Sequence, residues 1–221
     1  MSALVLAIDG PSGSGKSSTA KAIALRANWS YLDTGALYRA VTYLALENKV
    51  DSESQVVAVL EKSEITFDTN PADPKILVDG IDISEPIRFQ RINDLVSQIS
   101  AMAGVRKILL DLQRKYIEEA PIGIVVEGRD IGTVVAPNAQ LKIYLHADIS
   151  ARTSRRESEM SESIGGEKVG QSLANRDQID STRAISPLTQ AEDAVIIDTS
   201  HLTREEQTDV AYELVMGRVG A

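Results

Sequence analysis

A doubly wound α/β fold of three layers, with five parallel strands at its centre, is predicted by three observations. Short apolar runs of strand length alternate with longer segments of helical period along most of the chain. The first run leads straight into Gly10-Pro11-Ser12-Gly13-Ser14-Gly15-Lys16-Ser17, which matches G-x-x-x-x-G-K-[ST], the phosphate-binding P-loop that joins a strand to a helix. The run Ile122-Gly123-Ile124-Val125-Val126 is apolar without alternation, as a strand covered by helices on both faces must be.

Leu4-Val5-Leu6-Ala7-Ile8 supplies the first strand. Ser18–Ala27 holds four alanines and no Gly or Pro, so a helix follows the loop. Small residues let the loop backbone wrap an anion with its N–H groups, and the helix N-terminus adds partial positive charge. Gly10 to Ser18 are therefore the candidate phosphate-binding residues. Lys16 would reach the β- and γ-phosphates of a nucleotide, and the Ser17 hydroxyl would ligate Mg²⁺. Ser30-Tyr31-Leu32 is a short strand stopping at Asp33-Thr34-Gly35, and a helix with Leu37, Val41 and Leu44 on one face comes next. Asn48-Lys49-Val50-Asp51 spells the N-K-x-D of guanine readers, but it follows a helix pattern, and the chain has no D-x-x-G. It is read as a helix C-terminus with a cap for the next helix at Asp51 or Ser52.

Residues 63–84 change character: Glu64–Asp68, Lys75–Val78 and Ile81–Ile83 are strand-like, and Asp79-Gly80 is a hairpin turn signal. This is a small antiparallel insert between helices, a candidate mobile unit. Ile92, Leu95, Val96, Ile99 and Met102 keep a helical period, as do Val105, Ile108, Leu109 and Leu112, with an interruption expected near Gly104. After the Ile122–Val126 strand come strands at Leu141–Leu145 and Ala194–Asp198, and Thr203 with Glu206 forms a capping box for the final helix.

The 221 residues fit one domain, and 43% hydrophobic content is enough for a core. A net charge of −9 argues against a nucleic-acid polymer as partner but not against a small nucleotide held in a local cationic pocket. With no cysteine, disulfides and thiolate zinc sites are excluded, and the two histidines, His146 and His201, are poor material for a metal site. No apolar run reaches membrane-spanning length and no secretory leader pattern opens the chain, so a cytoplasmic location is expected.

Ligands in such folds bind beyond the carboxyl ends of the strands. Those ends carry the P-loop, then Asp33, Thr34 and Gly35 with Arg39 one turn into the helix, then Arg129 and Asp130. Arg152, Arg155 and Arg156 share one helix face by their i, i+3, i+4 spacing, and Arg176 and Arg183 follow with Asp180 between them. Ser161–Gly170 is rich in Gly and Ser, with Gly165-Gly166 as a hinge or tip. The segment 152–183 reads either as a lid that closes guanidinium groups over phosphates or as a solvated helical hairpin whose arginines pair with Glu157, Glu159 and Asp177.

Together these segments resemble the bacterial cytidylate kinases. The likeness rests on Ile8-Asp9-Gly10-Pro11-Ser12-Gly13-Ser14-Gly15-Lys16-Ser17, on Leu32-Asp33-Thr34-Gly35-Ala36-Leu37-Tyr38-Arg39, on Glu127-Gly128-Arg129-Asp130-Ile131-Gly132-Thr133-Val134-Val135, and on Arg183-Ala184-Ile185-Ser186-Pro187-Leu188. The blocks keep the family's order and rough spacing over nearly the whole chain. The resemblance implies a monomeric kinase, one domain over 1–221, that transfers the γ-phosphoryl of ATP to CMP or dCMP with Mg²⁺. It makes 63–84 the nucleoside-monophosphate-binding insert and 152–183 the lid. Thr34 and Arg39 would contact the acceptor nucleotide; Ser97, Arg106 and Asp130 would recognise cytosine, with Arg183 assisting. Arg129 and Arg176 would bind phosphates and hold the acceptor in line, and Asp180 would bind the ribose. Lys16, Arg152 and Arg156 would stabilise charge on the migrating group, and Asp33 would orient a Mg²⁺-bound water. Thr34 stands where the family more often has Ser, and the hydroxyl is kept. The stretch Ser161–Gly170 is less typical, so donor contacts carry over least there. Two other readings stay open on the residues. One is a kinase of another small acceptor, such as a different nucleoside monophosphate or dephospho-coenzyme A, which would not need the Arg106–Asp130–Arg183 set. The other is a slowly hydrolysing nucleotide switch, against which the missing D-x-x-G counts.

Overall fold

The computed structural model describes residues 3–159 and 166–219. In chain order β1 (Leu4–Asp9) feeds the P-loop and α1 (Lys16–Ala27), then β2 (Ser30–Asp33), α2 (Thr34–Glu47) and α3 (Glu53–Leu60). Three short strands follow, β3 (Ile65–Phe67), β4 (Ile76–Val78) and β5 (Ile81–Asp82), then α4 (Gln90–Ser100) and α5 (Ala103–Glu118). The chain continues through β6 (Gly123–Gly128), a π-turn at Ile131–Val135, β7 (Leu141–His146), α6 (Ile149–Glu159), α7 (Gly166–Thr182), β8 (Val195–Asp198) and α8 (Arg204–Val219).

The five expected strands form one parallel sheet in the order β2-β6-β1-β7-β8. β1 lies at its centre, and Asp9 pairs with Gly128 on one side and Tyr144 on the other. All six residues of β6 are buried, as a run without alternation requires. Leu6, Ile8, Leu32, Ile124 and Val126 fill the middle of the core, with Ile23 of α1 and Leu37 and Val41 of α2 packed in the same cluster.

β3, β4 and β5 make the small antiparallel sheet, joined through Asp79 and Gly80, whose φ values of 52° and 78° give the tight turn their sequence calls for. Ile65, Phe67, Ile76 and Val78 belong to the main core cluster, and the Tyr116 hydroxyl oxygen accepts the Phe67 N–H.

 The Phe67 N–H thus bonds Tyr116 Oη at 2.6 Å, which ties β3 to α5, and the Tyr31 ring meets Phe67 edge-on with centroids 6.2 Å apart. The insert is packed onto the body of the molecule along one side.

Two boundaries differ from the sequence reading. The break between α4 and α5 falls at Ala101 and Met102, not at Gly104. Gly104 lies in the first turn of α5, where a Cβ would come within 2.8 Å of Val57 on α3. α1 begins at Lys16, two residues earlier than its apolar pattern suggests, so the P-loop lysine and Ser17 are themselves helical. Asn48 caps α2 and Ser52 occupies the N-cap position of α3, which settles the N-K-x-D segment as a helix junction. The Thr203–Glu206 capping box forms with both reciprocal bonds, at 2.8 and 3.2 Å. His146 and His201 are exposed. Among the described residues no helix is long and apolar enough to cross a membrane. Of the expected tip, Gly165 lies outside the described residues and Gly166 opens α7.

Candidate active site

Beyond the carboxyl ends of β1, β2 and β6 the chain leaves a cavity of about 600 Å³. The P-loop forms its floor. Gly15 has φ 89° and a Cβ there would lie 2.6 Å from Gln207 of α8, so the loop needs glycine for both conformation and space. Gln207 is buried and donates to Ser14 O and Thr19 Oγ1, which holds the loop from behind. Lys16 Nζ folds back to donate to Pro11 O at 2.7 Å, the Ser17 side lies open to the cavity, and Ser18 Oγ donates to Gly15 O. Gly10, Pro11, Ser12, Gly13 and Ser14 complete the loop, with the Ser14 hydroxyl buried and without a hydrogen-bond partner among the described residues.

One wall comes from β2 and α2. Asp33 is the N-cap of α2: Oδ1 accepts the Ala36 N–H at 3.0 Å, and Oδ2 accepts from Arg88 Nη2 at 3.1 Å. Thr34 Oγ1 donates to Glu127 O at 2.7 Å. Arg39 bonds the Asn93 side-chain oxygen, and the Arg176 guanidinium reaches Asn93 O from α7.

The opposite wall is an ionic chain. Arg129 Nε donates to Asp180 Oδ2 at 2.8 Å, Arg183 lies 3.8 Å from Asp180 Oδ1 and 3.6 Å from Asp130 Oδ1, and Arg106 pairs with Asp130 Oδ2. Arg106 lies over the Tyr38 ring, 5.4 Å from its centroid, and donates to Ser100 O. Ser97 is buried beside it on α4. Arg106 Nε and Arg183 Nη2 are buried N–H groups with no hydrogen-bond partner among the described residues.

The three arginines grouped on α6 by spacing separate in the structure. Arg152 is buried outside the cavity lining, paired with Asp177 and donating to Ser12 O at 3.1 Å and Ala147 O at 2.9 Å. Asp177 Oδ1 in turn accepts the Ser12 N–H. Arg155 donates to the carbonyls of Thr199 and Leu202, and both Arg155 and Arg156 line the cavity. Of the three, Arg152 makes the pair with Asp177, and Arg155 and Arg156 line the cavity.

Cations dominate this space. Burial, then Arg88 and Arg176, push Arg39 down to about 9. Burial, then Arg129, push Lys16 down to about 7. Burial, then Asp33, push Glu127 up to about 7, and Tyr31 Oη donates to it at 2.6 Å. Positive groups crowded in a low-dielectric pocket favour a polyanionic ligand, which would relieve their mutual repulsion.

Sequence reasoning overlooked Glu127, Arg88 and Tyr38. Glu127 reads as the end of an apolar strand, although a lone acid there was a usable signal. Arg88 follows the insert in a single 3₁₀ turn, and nothing local marks it.

A P-loop at the floor of a cavity lined by arginines, at the carboxyl edge of a parallel sheet, places the chain in the class of P-loop nucleotide-binding folds. The fold is shared with a gluconokinase from Sinorhizobium meliloti 1021, at a TM-score of 0.53 and 12% identity, covering 98% of this chain and 94% of that one. The family model described as cytidylate kinase matches residues 6–216. A cytidylate kinase of Streptomyces griseus subsp. griseus is 47% identical, covering 98% of this chain and 94% of the relative. One of Streptomyces avermitilis is 46% identical, covering 96% and 93%. The chain belongs to the cytidylate kinase family.

Proposed function

We infer that the chain transfers the γ-phosphoryl group of ATP to CMP or dCMP, giving ADP and CDP or dCDP. The observation that carries the acceptor assignment is the Asp130 carboxylate flanked by Arg106 and Arg183, each with a buried N–H that makes no hydrogen bond among the described residues. Cytosine presents a matching edge, an amino donor beside two acceptors. Uracil presents a carbonyl where cytosine has the amino group.

An acceptor phosphate oxygen attacks the γ-phosphorus as the bond to the β–γ bridging oxygen breaks. The nucleophile is already anionic near neutral pH, so no general base is needed. The protein's work is positioning and charge neutralisation. Arg39, Arg129 and Arg176 would hold the acceptor phosphate, Asp180 the ribose, and Ser97 with Arg106 and Asp130 the base. Lys16 and Arg156 would face the migrating group. Arg152, tied to Ser12, would brace the loop. The cavity continues past Arg155 to Leu202, Thr203 and Gln207, room for the donor's adenosine.

For a divalent cation the residues fit in one way. Among the described residues no group of three acidic or histidine side chains could hold a metal alone. The Ser17 hydroxyl, Asp33 and Glu127 line the cavity, and they suit Mg²⁺ that takes its other ligands from water and phosphate. Bound there, it would neutralise charge on the β- and γ-phosphates. The residues 63–84 and 152–183 would act as acceptor-binding insert and lid, in a monomeric enzyme of the cytoplasm.

Coupled measurement of ADP release across CMP, dCMP, UMP, AMP and dephospho-coenzyme A tests the reading. CMP and dCMP should exceed UMP in kcat/KM by at least about tenfold, since an unpaired buried acceptor costs ~1–3 kcal/mol. Equal use of UMP, or better use of another acceptor, would refute it.

Donor binding should also be linked to protons. With Lys16 lowered to about 7, its charged form prevails below that pH and declines above it. Bound phosphates favour the charged form, so metal-free ATP should bring a proton with it at pH 8, and its Kd should rise as pH climbs from 7 to 9. Glu127, held at about 7, shifts in the same direction beside added negative charge. Calorimetry in buffers of different ionisation enthalpy measures the uptake, which should approach one proton. No uptake would remove Lys16 from the phosphate contact.

A further inference from the structure

We propose that Asp9 is a positioning residue for the phosphoryl acceptor: its carboxylate sets the loop that carries Arg129 and Asp130 against the strand that carries the P-loop. This rests on the acceptor reading above, and Asp9 itself faces no substrate.

Asp9 ends the central strand and precedes Gly10, so its backbone opens the donor loop. Its side chain is 4% exposed and points the other way. Oδ1 accepts the Ile131 N–H at 2.8 Å and Oδ2 accepts the Gly132 N–H at 2.7 Å. These are the first two amides of the π-turn that follows Asp130. The far end of the same turn is held by Arg114, which donates to Val134 O at 2.9 Å and Val135 O at 3.3 Å. An anion at the amide end and a cation at the carbonyl end complement the turn's dipole and leave it little freedom. π-turns inside a chain often mark functional sites. Here the turn fixes the backbone from which the Asp130 carboxylate projects.

The turn is pressed onto its anchor. A Cβ on Gly132 would come 3.1 Å from Lys142 Cδ and 3.4 Å from Asp9 Oδ2. Two converging N–H donors require two acceptors, which a carboxylate supplies and an amide does not. Burial raises Asp9 to about 6, and the two N–H bonds pull the other way. A buried acid that touches no ligand, whose backbone opens one loop and whose carboxylate bonds the other, is explained by the register it imposes between them.

The test is steady-state kinetics of the full chain with CMP, UMP and ATP, on wild type, Asp9→Asn and Arg114→Gln, with a melting curve for each. Asp9→Asn should raise the KM for CMP about tenfold and narrow the CMP:UMP ratio of kcat/KM about threefold or more, while the KM for ATP stays within about twofold. A purely structural defect would lower the active fraction and scale both acceptors equally. An unchanged ratio and CMP KM, or an equal rise in the KM for ATP, overturns the proposal. Should Asp9→Asn fail to fold, the exposed Arg114→Gln carries the test: the CMP KM and the ratio should move the same way, about threefold, and no movement overturns the proposal. A wild type that uses UMP as well as CMP refutes the cytosine reading instead, and the acceptor KM measured against the ATP KM then decides the role of Asp9 on its own.

Discussion

Lys16→Ala will lower kcat by about a thousandfold and leave the melting temperature nearly unchanged. Removing one fixed group that stabilises transition-state charge in a water-poor site costs about 10²–10³ in turnover. Here the loss falls at the upper end, because Lys16 sits at the centre of the loop and the arginines nearby are engaged elsewhere: Arg152 with Asp177 and Ser12, Arg155 with Thr199 and Leu202. Stability should survive because the side chain contributes one bond, to Pro11 O, and its ammonium group is itself disfavoured by burial and by Arg129. Turnover within tenfold of wild type would show that the phosphates do not rest on this loop.

Asp130→Asn will have the second largest effect. The carboxylate lies between Arg106 and Arg183, and amide replacement leaves two buried guanidinium groups facing a neutral partner. Hydrogen bonds to charged groups are worth about 1.5–3 kcal/mol, so kcat/KM for CMP should fall about 10- to 100-fold. The amide can also turn an N–H toward the base, which suits the uracil carbonyl. The gap between CMP and UMP should therefore close mainly through loss of CMP activity. Dividing the two kcat/KM ratios measures this, and a gap that stays at its wild-type size would take base selection away from Asp130.

Much of this was legible in the chain before any coordinates. Each of the five parallel strands is a short, dense apolar run, and each ends at residues whose chemistry does not suit a core; that combination located Lys16, Asp33, Thr34, Arg129 and Asp130 at the right edge of the sheet. The Asp79-Gly80 turn and the Thr203–Glu206 box are local, set by residues a few positions apart. What spacing could not give was partnership. Arg152 and Arg156 look alike on a helical wheel, and only the approach of Ser12, 140 residues away, separates a brace from a cavity cation. Arg88 enters the site from a 3₁₀ turn with no signature of its own. Gly104 reads as a helix breaker, yet it lies within α5, near Val57 on another helix. Asp9 reads as the last letter of a motif, and its two partners lie 122 and 123 residues further on.

The alternation Arg129–Asp180–Arg183–Asp130–Arg106 is one continuous ionic chain along the cavity wall. On the proposed acceptor reading Arg129 would stand at the phosphate end and Asp130, the next residue, at the base end. A nucleotide whose base fits poorly against Asp130 would disturb Arg183, and through Asp180 the same disturbance would reach the Arg129 guanidinium proposed to hold the acceptor phosphate. Fidelity would then be exercised twice on one error, in how long the wrong nucleotide stays and in how often it reacts while it is there.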